Sequence, residues 1–133
     1  MQGQNNLDQL LQGMSPVVHS EIYVFCSFPG DALPAGLTPI CTFREEEGWT
    51  AILPKPQAQA FGFDFEFEST LITLSVHSSL AAVGFLAQVC AALAALNIPC
   101  NAVSGFYHDH LFVPTDRLGD ALIALKQLSG RAA

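Results

Sequence analysis

Residues 71–114 read LITLSVHSSLAAVGFLAQVCAALAALNIPCNAVSGFYHDHLFVP, and this stretch decides the fold. It opens with Ile72, Leu74 and Val76 alternating with Thr73 and Ser75, the two-residue period of a strand with one buried face. From Leu80 to Leu96 every residue except Gln88 is apolar or Gly. A helix over 79–96 is expected there, capped by Ser78 or Ser79, with Asn97 as a left-handed stop and Pro99 barring continuation. The segment is near the lower length limit for a membrane span. It is rich in Ala, which partitions weakly into lipid, and no positive flank follows, so a helix buried on both sides within protein is the expected reading. Next come a strand over 100–106, a turn over 107–110, and a strand over 111–113 ended by Pro114. Thr115 is placed to cap a last helix over about 116–128, with Leu118, Ala121, Leu122 and Leu125 as its apolar stripe.

The order β-α-β-β-α implies an antiparallel sheet with both helices on one face, the ferredoxin-like α+β arrangement. A final strand is missing, and a strand from the first half is the expected cover for that edge. Working towards the N-terminus, residues 5–14 carry Leu7, Leu10, Leu11 and Met14 on one helical face before Pro16. Residues 19–28 read as a strand, and Pro29, Gly30, Pro34, Gly36 and Pro39 mark a loop. Residues 40–46 and 49–53 read as a hairpin turning at Glu47-Gly48, and 56–61 as a short helix. Phe61, Phe63, Phe65 and Phe67 alternate with polar residues, but the apolar positions change parity around Ser69–Leu71. That phase change means a bulge, or one long strand whose halves face different cores. Ala51-Ile52-Leu53-Pro54 and Leu111-Phe112-Val113-Pro114 each follow a hairpin and precede a helix. The chain therefore reads as two ferredoxin-like units, residues 1–66 with a leading helix and residues 67–133, the first lacking the long helix between its first two strands.

The run Leu74 to Leu80 with Val83-Gly84-Phe85-Leu86-Ala87 resembles the first strand and helix of ACT domains, and Asn97 to Ser104 their second strand. Phe106 to Pro114 is similar to the hairpin of the ACT branch that occurs as tandem pairs. The resemblance is carried by residues 68–127, and more loosely by 15–65. It implies a regulatory module, not an enzyme, that binds an amino acid near the first strand-to-helix loop, at an interface between ACT units. By position the implied ligand contacts are Val76, His77, Ser78, Ser79, Val83, Gly84 and Asn101. The chemistry suits the role. A helix N-terminus attracts a carboxylate, Gly84 permits close approach, and Asn101 offers both donor and acceptor. The sequence departs from the pattern at Ala81, where many ACT domains carry the Asp that would meet a ligand's ammonium group; Asp109 is a candidate substitute.

The charges narrow the partners. The 133 residues carry a net charge of −7 from twelve acidic and five basic side chains, and no basic residue lies between Lys55 and Arg117. Nucleic acid and anionic membranes are disfavoured. Only 13% of residues are charged and 50% are hydrophobic, which points to a surface covered by a second copy, as a homodimer or higher oligomer. Cys26, Cys41, Cys90 and Cys100 form no C-x-x-C pair and sit among apolar neighbours, so buried reduced thiols are expected. No secretory signal is visible and the cytoplasm is the expected location. His108-Asp109-His110 is a polar cluster suited to an interface. His108 and His110 could share a strand face and bind a metal only if His77 converged on them; the bland alternative has Asp109 fixing the turn. His77-Ser78-Ser79 lacks the strained elbow of a serine nucleophile, and capping accounts for its serines. Glu45-Glu46-Glu47 reads as a solvated hairpin tip. No catalytic residue, cofactor or metal is assigned. A structural or protein-interaction ACT pair without a small-molecule ligand is the alternative.

Overall fold

The computed structural model describes residues 3–132. They form two compact units, one from residues 20–69 and the other from the residues on either side.

The inner unit holds most of β1 (Pro16–Pro29), then β2 (Cys41–Glu45), β3 (Gly48–Pro54), α2 (Lys55–Phe61) and the start of β4 (Glu66–Leu74). β3 lies between β2 and β1, with Ala51 opposite both Thr42 and Cys26 in antiparallel register. The hairpin turns at Glu46-Glu47, one residue earlier than expected, because Glu45 pairs with Gly48. Gly48 is needed inside β3 itself: its φ is 143°, and a Cβ there would lie 2.2 Å from the Phe28 carbonyl oxygen. The core is Val24, Cys26, Phe28, Ala51, Leu53 and Ala58, flanked by Leu33, Leu37, Trp49, Phe63 and Phe65. The four alternating phenylalanines do not form one strand. Phe61 ends α2, and left-handed Gly62 (φ 72°) turns the chain. Phe63 stacks edge-on against Phe28 at 4.8 Å, and Phe67, itself at φ 61°, meets Phe25 edge-on at 5.7 Å. Beyond Phe67 four consecutive residues, Ser69 to Ile72, are buried, so the phase change falls where β4 leaves this unit.

The outer unit contains α1 (Leu7–Gly13), the first residues of β1, the end of β4, α3 (Phe85–Ala95), β5 (Asn101–Ser104), β6 (Asp109–Pro114), a 3-10 turn at Thr115–Arg117 and α4 (Leu118–Ala132). Its strands run β1-β4-β6-β5. The start of β1 supplies the strand missing from the C-terminal half, and the Ser75 N–H donates to the Ser15 carbonyl at 3.0 Å. Ile72, Leu74, Leu111 and Val113 face α3 and α4 across a core that includes Val89, Leu93 and Leu125. Burying the Leu10, Leu11 and Met14 face of α1 completes it, so the leading helix packs with the C-terminal residues. Asn6 caps α1 by accepting the Gln9 N–H at 3.0 Å.

α3 is shorter than the apolar run suggests. It starts at Phe85, and its N-cap is Gly84 at φ 94°, so neither Ser78 nor Ser79 caps it. A left-handed residue cannot continue a right-handed helix, and residues 79–84 form a loop instead. Asn97 does take the left-handed stop (φ 59°). The Arg117 guanidinium donates to the Leu96 and Asn97 carbonyls at 3.1 and 3.4 Å, satisfying acceptors at that helix end. Thr115 is not a cap either; its hydroxyl bonds the Thr70 hydroxyl at 3.1 Å. Among the described residues no helix is long and apolar enough to cross a membrane.

Candidate functional site

The loop between β4 and α3 is the centre of the site. Val76 is half-buried against the outer core. Ser78 is buried, and its hydroxyl donates to Asp109 Oδ2 at 3.1 Å, while the Ser104 hydroxyl donates to Oδ1 at 2.7 Å. Asp109 thus lies inside β6, only 6% exposed, where it ties the loop to β5. The Ser104 bond crosses the base of the β5–β6 hairpin, so Asp109 does fix that turn, and its carboxylate is buried and not displayed to solvent. Charge-assisted bonds of this kind are the stronger class, and they fix where the loop backbone points. The Ser79 hydroxyl accepts the Ala81 N–H at 3.1 Å, closing a local turn. Val83 is 85% exposed beside Leu80 at 67%. Asn101 is opposite Phe112 on β5, on the sheet face away from Leu111 and Val113, so the fold does not bring it to the serines.

A hollow of about 70 Å³ is lined by Ser78, Ser79, Phe85, Ser104, Gly105 and Asp109 among others. That is well below the roughly 300–1,000 Å³ of a pocket that encloses a small-molecule ligand. The N-terminal segment lies against the main chain of the same loop. The Gln4 N–H donates to the His77 carbonyl at 2.7 Å, and the Ser79 N–H donates to the Gln4 carbonyl at 3.0 Å, a parallel bridge opposite Ser78. Gly3 lies flush on the loop: a Cβ there would be 2.7 Å from both Ser78 C and Ser79 N. Sequence reasoning missed this strap. Its signal in the sequence is Gly3 beside a polar run that precedes a capped amphipathic helix.

The histidines are arranged differently from a metal centre. His19 Nε2 and His110 Nδ1 both bond the Thr73 hydroxyl, at 2.8 and 2.9 Å. His108 and His110 have ring centroids 6.4 Å apart, and His77 stacks instead against Tyr107 at 5.0 Å. Among the described residues no group of three or more His, Cys, Asp or Glu could hold a metal ion. Burial holds the His110 imidazole below its usual pKa, helped by His108 and His19 and opposed by Asp109. The four cysteines are free; Cys26 is buried and the others half-buried. Burial pushes the Cys100 thiol up to about 12, with Cys90 beside it adding to the rise. It is a poor nucleophile.

Comparison with known proteins agrees with this architecture. ACT-domain family models match residues 2–70 and 66–127. The chain belongs to the ACT-domain family and carries two such domains in tandem. It is 43% identical to a Vibrio cholerae protein of unknown function, described as a possible transport protein, over 92% of this chain and 95% of that one, with a TM-score of 0.83. A protein from Agrobacterium tumefaciens shares the fold at 16% identity, covering 87% and 89% of the two chains (TM-score 0.76). So does the ligand-free regulatory subunit of aspartate kinase from Thermus thermophilus, at 10% identity over 85% and 95% (TM-score 0.65). No curated protein matches the sequence.

Proposed function

We propose that the protein is a non-catalytic, cytoplasmic regulatory module whose β4–α3 loop binds a small α-amino acid. The observation that carries this reading is the loop's main chain. The His77 carbonyl and the Ser79 N–H face one residue's N–H and C=O at 2.7 and 3.0 Å, and an amino acid presents the same donor and acceptor on one carbon. The buried Asp109 carboxylate holds Ser78 and so keeps that pair aimed. The aspartate kinase regulatory subunit among its structural neighbours fits a regulatory role. Leu80, Val83, Phe106 and Tyr107 are 67%, 85%, 60% and 52% exposed, apolar surface suited to a second copy. In this reading the two ACT repeats divide at residues 66 and 67, and the output passes to another chain.

The small hollow favours one other reading, a structural or interaction pair with no ligand. A thermal-shift screen of the twenty amino acids separates the two. A ligand that binds only the folded state stabilises it by about 2.7 kcal/mol at a hundredfold excess over Kd. The expected result is a dose-dependent shift with one amino acid, lost in Ser79→Pro, which removes the N–H, and kept in Ser79→Ala. The absence of a shift with every amino acid at millimolar concentration would select the interaction reading.

A further inference from the structure

Gln4 reproduces with its own main chain what a free amino acid would offer. Its N, Cα and carbonyl are the skeleton of an α-amino acid. The N–H is spent on the His77 carbonyl and the C=O on the Ser79 N–H. We infer that the segment Gly3–Asn5 is a built-in occupant of the amino-acid site, a strap that a ligand must displace in order to bind. The inference rests on the amino-acid reading of the loop given above.

The strap is built to sit closely and to leave easily. It sits closely because Gly3 has no side chain: any Cβ would meet Ser78 C, Ser79 N and His77 Cδ2 within 2.9 Å. It leaves easily because Gln4 and Asn5 are exposed. The Gln4 side chain bonds near neighbours, accepting the Asn5 and Asn6 N–H groups at 3.0 and 2.9 Å and donating to Gln9. The anchor lies one step further on. Leu10, Leu11 and Met14 hold α1 in the core, so the strap can lift while the helix stays. Gly84 adjoins the hinge, where a Cβ would be 3.6 Å from Leu7 Cδ2.

A zwitterionic amino acid would make both bonds charge-assisted, ammonium to the His77 carbonyl and carboxylate to the Ser79 N–H, and such bonds are about twice as strong as neutral ones. Bond for bond, the main-chain occupant is the weaker partner for that seat. Two neutral hydrogen bonds of ordinary net strength favour the closed form by a factor on the order of 10 to 30, and a ligand's apparent affinity falls by the same factor.

The test measures binding of each of the twenty amino acids, by calorimetry, to the unaltered protein and to two variants that loosen the strap outside the loop. Gly3→Ala forces the segment off by sterics, and Gln4→Pro removes the donor to His77; circular dichroism checks that the helices persist. Binding of one amino acid about 10- to 30-fold tighter in both variants is the expected result. A second readout uses the unaltered chain: adding that amino acid should speed hydrogen exchange at the Gln4 amide while the Ser79 amide stays protected. Equal or weaker binding in the variants, with no change at the Gln4 amide, would overturn the strap and leave the amino-acid site standing. No binding to any of the three proteins at millimolar concentration would overturn both.

Discussion

The two units solve the same strand plan with unequal means. After its first strand the inner unit passes through a Pro- and Gly-marked loop, residues 30–40, straight into β2. After β4 the outer unit passes through residues 75–84 into the eleven-residue helix α3. Only the outer unit therefore owns a strand-to-helix loop on which main-chain groups can be displayed. Its core is mainly aliphatic around the buried Phe85 ring and is backed by three helices, whereas the inner unit leans on aromatic edges around a single short helix. The lesson is that a loop with main-chain groups on display tracks the presence of one helix.

That contrast can be broken most strongly at Leu93, fully buried between α3 and the sheet. Leu93→Ala is expected to cost about 2–5 kcal/mol. In urea titrations it should move the far-ultraviolet dichroism transition, which reports chiefly the outer unit's helices. Asp109→Ala comes next: it strips both serine hydroxyls of their acceptor, at a cost of about 1–3 kcal/mol. The same change should loosen the loop, seen as faster exchange at the Ser79 amide. In the inner unit, Phe63→Leu removes one edge-on ring pair with Phe28 and should cost about 1 kcal/mol. The single tryptophan, Trp49, lies in that unit and provides a separate fluorescence readout. Should both probes shift equally for Leu93→Ala and Phe63→Leu, the two units unfold as one.

The smallest effect concerns pH. His110 has a folded pKa below its unfolded value, so the unfolded chain binds the proton more readily. Its contribution to stability is full above about pH 6.5, the ordinary histidine value, and is lost as pH falls through the lower folded value. Urea midpoints measured between pH 7.5 and 5 should decline, and His110→Gln should flatten that part of the slope.

Much of the fold was legible because its signals are local. Alternation at Ile72, Leu74 and Val76, the stripe on α4 and the stop at Asn97 each follow from neighbouring residues. The start of α3 was not legible in the same way: Gly84 looks like any small residue in an apolar run until its left-handed φ is seen. The phenylalanine ladder misled for a related reason, since Gly62 and Phe67 turn the chain without disturbing the alternation. At the site, resemblance pointed to the loop, but strand parity separates Asn101 from it. The strap and the His19–Thr73–His110 contacts join residues far apart in sequence, and pattern reading along the chain has no access to such pairs.

The discontinuity of the outer unit has a consequence for synthesis. Residues 20–69 form the inner unit as one uninterrupted stretch, so it can close as soon as it clears the ribosome. The amphipathic helix α1 emerges earlier but has no core to join until α4, which ends at Ala132, has been made. At about 5–20 residues per second that wait is on the order of ten seconds. For that interval Leu10, Leu11 and Met14 are an exposed apolar face on a nascent chain, and chaperone capture of α1 during translation is the expected cost of inserting one unit within the sequence of another.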